Sequence, residues 1–233
     1  MARRTLSPPI TCWNTFKQLY LEVFSTALRE LAKEGSVSGD EDDISELLNV
    51  IIRQVCFNFN QPGDNKEIRV PIPIGEAPVQ PVNRDELRGG KKRKRPDFTC
   101  NYLNAHAVSP DELEIPFHVE CKRLGSPTSN SWNLNKNYVI NGIKRFDCST
   151  HQYGKRSPSG MMIGYIINMT LPEIETEVNG YQKKHLPSCP DIMFTFDERT
   201  PFQTQQQIQR RSVKPAKFEL IHLWVDLRDK YHI

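Results

Sequence analysis

The sequence predicts an α/β fold: a mixed central β-sheet flanked by α-helices, with an extra helix at the N-terminus. Three observations predict it. Apolar residues recur at helical spacing over the first 60 positions, the period changes to that of strands after residue 67, and helical segments then alternate with apolar runs of strand length. At 233 residues, 37% hydrophobic, the chain can bury a sizeable core. It reads as one domain over 1–233, with N-terminal helices at 11–57 and a sheet core at 67–227.

Residues 11–34 form a long amphipathic helix with Trp13, Phe16, Leu19, Tyr20, Val23, Phe24, Leu28 and Leu31 on its apolar face, ended by Gly35. A second helix covers 41–57, its face made by Ile44, Leu47, Leu48, Ile51 and Val55; acids at its start suit the positive end of the helix dipole. In 67–76, β-formers are broken by Pro71 and Pro73, which predicts an irregular or edge strand. Residues 77–95 read as a loop and 97–103 as a strand. A turn region at 104–114 then sends the strand 115–124 back antiparallel. After a polar loop, 136–153 read as mainly helical. The apolar run 161–169 has the composition of a central strand. A helix at 171–184, a strand at 191–196, a Gln- and Arg-rich loop at 199–216 and a final strand at 218–227 complete the chain.

The net charge is only +3, so bulk charge does not identify a partner. Six cysteines are scattered without a CxxC pair or zinc spacing, which predicts free thiols in a reducing cytoplasm. The N-terminus lacks the apolar core of a signal peptide. No run approaches the roughly 20 apolar residues of a membrane span.

Chemistry concentrates on two strands. Within FHVECKRLG (117–125), Phe117, Val119 and Cys121 alternate with His118, Glu120 and Lys122, so Glu120 and Lys122 leave one face together. Asp97 opens the preceding strand, and antiparallel pairing brings it near Glu120. Two carboxylates make a hard oxygen site suited to Mg²⁺ or Mn²⁺. A metal there acidifies water and offsets phosphate charge, and a neighbouring lysine can orient that water or stabilise developing charge. The Cys121 carbonyl is a further candidate metal ligand; its thiol points into the core.

Pro96-Asp97, followed 23 residues after Asp97 by Glu120-Cys121-Lys122, resembles the PD-(D/E)xK nuclease superfamily, with its restriction-endonuclease-like fold. The resemblance covers about residues 40–170. It implies metal-dependent phosphodiester cleavage, with Asp97 and Glu120 as metal ligands and Lys122 as the water-orienting or charge-stabilising residue. Members of the superfamily also draw a glutamate from a preceding helix. Glu46 is the candidate, with Asp42 and Asp43 competing but better explained by the helix dipole. The helix after the motif offers Lys144, Arg145 and Gln152 for phosphate contact. His118 reads as a buried, hydrogen-bonded histidine.

The run Lys91, Lys92, Arg93, Lys94 and Arg95 leads directly into Pro96-Asp97. Such a run is a solvated loop, a nuclear localisation signal or a phosphate clamp; its position favours the clamp, hinged at Gly89-Gly90. A second basic cluster, Arg210, Arg211, Lys214 and Lys217, is a further phosphate candidate. The expected activity is a Mg²⁺-dependent endonuclease with DNA favoured as substrate, in the setting of bacterial restriction or anti-phage defence; RNA cleavage by the same site is a reading the sequence does not separate from it. A partner protein or a homodimer would gate it. The alternative is a non-catalytic nucleic-acid-binding or scaffold protein on the same fold.

Overall fold

The computed structural model describes residues 10–61, 69–81, 94–127, 132–195 and 200–232. In chain order these form α1 (Ile10–Leu31), β1 (Val37–Ser38), α2 (Glu41–Phe59), β2 (Ile74–Gly75), β3 (Phe98–Leu103), α3 (Pro110–Leu113) and β4 (Glu114–Leu124). There follow α4 (Leu134–Ile140), a 3₁₀ turn (Ile143–Asp147), β5 (Ser159–Ile166), α5 (Leu171–His185), β6 (Phe202–Gln209), β7 (Lys217–Asp226) and β8 (Tyr231–His232).

The mixed sheet has six strands in the order β2-β3-β4-β5-β7-β6. Its centre, β4-β5-β7, is parallel; β2-β3, β3-β4 and β6-β7 are antiparallel. Helices cover both faces, as the sequence predicts. On one face α1 and α2 pack onto Phe98, Phe117, Val119, Cys121, Ile163 and Leu223. On the other, α4, the 3₁₀ turn and α5 pack onto Leu124, Met162, Ile166, Leu220 and Trp224. All eight residues of β5 are buried, as expected for a strand covered on both faces. Among the described residues no helix is long and apolar enough to cross a membrane.

Local chemistry fixes the start of α2. Asp40 caps it, its carboxylate accepting from the Asp42 and Asp43 N–H groups, while Asp43 accepts from the Asp40 N–H. The chain end then pins this cap. β8 pairs parallel with β1, and the Tyr231 hydroxyl donates to the Gly39 carbonyl at 2.7 Å.

The structure corrects three segments. Residues 136–153 do not form one helix; α4 ends at Ile140, and only the 3₁₀ turn follows before irregular backbone. The described part of 191–196 is not a strand, although Ile192 and Phe194 are buried as alternation predicts. Side chains of α5 take the backbone bonds that a ladder would supply: Asn179 accepts from the Ile192 N–H and donates to its carbonyl, and Glu175 accepts from the Phe194 N–H. The supposed loop 199–216 contains β6, an edge strand antiparallel to β7. Its inward residues include Gln206, held by Gln182 and the Pro190 carbonyl, so hydrophobic alternation could not reveal it. β2 is the edge strand that Pro71 and Pro73 predict, cut to two residues.

The second layer contains a buried polar relay. The Trp224 indole donates to the Tyr138 hydroxyl at 2.8 Å, which leaves that hydroxyl to donate to His222 Nδ1, also at 2.8 Å. Burial pushes the His222 pKa down to about 3, and burial also lowers that of His118 to about 3. Unfolded histidine protonates near pH 6.5, so between these values the unfolded chain binds protons that the folded one rejects. The histidine contribution to stability is therefore present above pH 6.5 and is lost as pH falls. His222→Gln is expected to reduce the drop in urea midpoint between pH 7 and pH 5; an unchanged drop would remove His222 from the account.

Candidate active site

The site arises where β3 parts from β4. Phe98 pairs with Val119, and no β3 residue pairs with β4 beyond that point. From Glu120 to Leu124, β4 keeps its ladder with β5, while among the described residues no strand pairs with its other edge. Carboxylates from elsewhere occupy that edge. Asp97 Oδ2 accepts the Cys121 N–H at 2.5 Å, and Glu41 Oε2 accepts the Arg123 N–H at 3.1 Å. The requirement that backbone donors be satisfied thus draws two acids to the motif strand.

Alternation places Glu120 and Lys122 on the face opposite Cys121, as the sequence predicts. Lys122 is the hub. Its Nζ lies 2.7 Å from Glu120 Oε1, 2.6 Å from Glu41 Oε1 and 2.6 Å from the Cys121 carbonyl. Arg145, from the 3₁₀ turn, also pairs with Glu120 Oε1. Glu120 Oε2 is buried and has no hydrogen-bond partner among the described residues. Asp97 lines a cleft of about 260 Å³ with Asp42, Ser45, Glu46, Asn49 and Glu76.

The electrostatics follow from burial and crowding. Desolvation, then the nearby Asp97 charge, pushes the Glu120 pKa up to about 8 against the opposing pull of Lys122 and Arg145. Desolvation raises Asp97 to about 6, with Lys122 and the Cys121 N–H pulling it back. Desolvation pulls the Lys122 pKa down, but Glu120, Glu41 and Asp97 together outweigh it and hold the ammonium charged, above the usual lysine range.

The expected residues therefore divide. Asp97, Glu120 and Lys122 are brought together. Glu46 is exposed, but shares the cleft with Asp97. The Cys121 carbonyl is at the site and is engaged by Lys122, while its thiol is in the core. Lys144 is exposed beside Arg145, and the exposed Lys94 and Arg95 lead into the site, where the Tyr153 hydroxyl donates to the Arg95 carbonyl at 2.6 Å. Lys91, Lys92 and Arg93 lie outside the described residues, as does the Gly89-Gly90 hinge. His118 is buried, its Nδ1 accepting the Gly154 N–H. Among the described residues, no three His, Cys, Asp or Glu side chains are grouped to hold a metal ion.

Two residues depart from the sequence reading. Glu41 was not among the candidates, yet it is the first residue of α2 and reaches both Lys122 and the bare strand edge. Arg210 is no phosphate contact: it is 2% exposed and donates to the carbonyls of Phe146, Tyr153, Gly154, Ser157 and Pro215. No protein-family model matches this chain, and no curated protein or solved structure does.

Proposed function

We propose that this chain is a divalent-metal-dependent nuclease that hydrolyses phosphodiester bonds in DNA, on a sheet read as restriction-endonuclease-like. The observation that carries the reading is the convergence of Asp97, Glu120 and Lys122 at the bare edge of β4, with Glu120 Oε2 buried and unpartnered. An orphaned carboxylate oxygen is costly without a ligand, and hard oxygen donors of this kind fit Mg²⁺ or Mn²⁺. Asp97 and Glu120 would hold the cation, with Glu46 and the Cys121 carbonyl as further donors. A bound cation supplies charge neutralisation at the phosphate and a more acidic water.

The chain's own residues do the rest. Lys122, held charged by Glu120 and Glu41, would orient the attacking water and stabilise the charge that develops on phosphorus-bound oxygens. Glu41 positions that ammonium and is itself positioned by the α2 cap and the Tyr231–Gly39 contact. Lys94, Arg95 and Lys144 are exposed and can take backbone phosphates, which positions the duplex without reading its sequence.

Asp97→Asn tests the cation site. An asparagine oxygen still accepts the Cys121 N–H, so the fold is expected to persist while the charge is lost. With Mg²⁺ or Mn²⁺ at about a hundredfold excess over Kd, the wild type gains about 3 kcal/mol, or roughly 5–10 °C in Tm. The variant is expected to gain none of it. An equal gain in both proteins would remove Asp97 from the site.

A further inference from the structure

Glu120 is served twice on one oxygen and not at all on the other. Lys122 and Arg145 both meet Oε1, while Oε2 is buried without a partner among the described residues. The two cations are not equivalent. The Lys122 side chain is 4% exposed and fixed among Glu41, Glu120 and the Cys121 carbonyl. The Arg145 side chain is 25% exposed, comes from a single 3₁₀ turn, and leaves its Nε buried and unsatisfied.

Charge sets the Arg145 contact against a bound dication. Lys122 and Arg145 both meet the Glu120 carboxyl, with Glu41 and Asp97 beside Lys122. A divalent ion on the same carboxyl adds two positive charges, and in a buried site it repels the guanidinium. Lys122 is tied to Glu41 as well and stays. Arg145 is the less buried of the two; it adjoins exposed Lys144 in sequence, and His151 feels the charges of both Arg145 and Lys94. Its fork of donors matches a phosphate better than any other side chain does.

We propose that Arg145 is an exchangeable counterion: it neutralises Glu120 while no metal is bound, and is displaced by the metal onto the substrate phosphate. Metal and Arg145 therefore compete for Glu120, and metal binding delivers the phosphate-contacting residue. This rests on the nuclease reading of the site.

The test is calorimetric titration of Mn²⁺ into the wild type, Arg145→Met and Arg145→Lys, with thermal unfolding to confirm that each variant is folded. A companion titration measures binding of a short DNA duplex in Ca²⁺. Loss of the competing contact is expected to tighten Mn²⁺ binding by Arg145→Met about tenfold, the equivalent of one charge-assisted hydrogen bond. The same variant is expected to bind DNA more weakly in Ca²⁺, with Arg145→Lys restoring part of it. If the wild type binds Mn²⁺ and Arg145→Met binds it no more tightly, the exchange is overturned and the nuclease reading stands. If neither protein binds Mn²⁺, both are overturned.

Discussion

Replacing Lys122 by alanine is expected to reduce cleavage by about 10²–10³-fold, the loss that follows removal of one preorganised donor from an active site. It is also expected to cost about 3–5 kcal/mol of stability, because it breaks a buried charge network by removing one partner. Lys122 is the contact between Glu120 and Glu41 and also satisfies the Cys121 carbonyl. Without it Glu120 keeps only Arg145, inside a site where burial already raises its pKa to about 8. Glu120 then escapes by taking up a proton, which sets the upper limit on the cost. In a Glu120→Gln background the same change no longer strands the Glu120 charge. The double-mutant cycle in denaturant is therefore expected to show a coupling of about 1–3 kcal/mol. Additive effects would mean that the two groups do not act on one another.

Arg210→Met is expected to lower stability by about 4 kcal/mol, roughly 10 °C in Tm, although Arg210 lies in none of the proposed catalytic roles. Methionine fills the volume but leaves five carbonyls without the donor they share. Those carbonyls belong to the segment after Arg145 and to Pro215. Gly154, in that segment, turns with φ of +65°, donates its N–H to His118 and would bring a Cβ within 2.6 Å of Phe218. Loosening it frees Tyr153 from the Arg95 carbonyl, so cleavage is expected to fall with stability. Arg210→Lys should recover only part, since an ammonium cannot reproduce the planar fork. An unchanged Tm for Arg210→Met would contradict the role given to this residue.

Much of the site was legible because its logic is local. Alternation alone separates Glu120 and Lys122 from Cys121, and the short β3–β4 connection is enough to bring Asp97 beside them. Glu41 was not legible. At the first position of a helix an acid already has a reason to be there, and its partner is 81 residues away on a strand edge. Only the pairing of β8 with β1 and the divergence of β3 from β4, both non-local, reveal its second use. Arg210 misled for the complementary reason: its hydrogen-bond partners are carbonyls, which every residue has, and the acid nearest in effect, Asp147, is far away in sequence. The Ile192–Phe194 segment and β6 exchanged expectations because apolar alternation reports burial, not ladder pairing. Helix side chains buried the first, and glutamines concealed the second.

Cleavage by the purified protein, assayed on plasmid DNA, linear DNA and RNA with Mg²⁺, Mn²⁺ or EDTA beside Lys122→Ala, tests the central claim most directly. The account predicts DNA cutting that requires the metal and vanishes in the variant. Wild type and variant equally inert on every substrate, with no divalent metal bound by either, would contradict it.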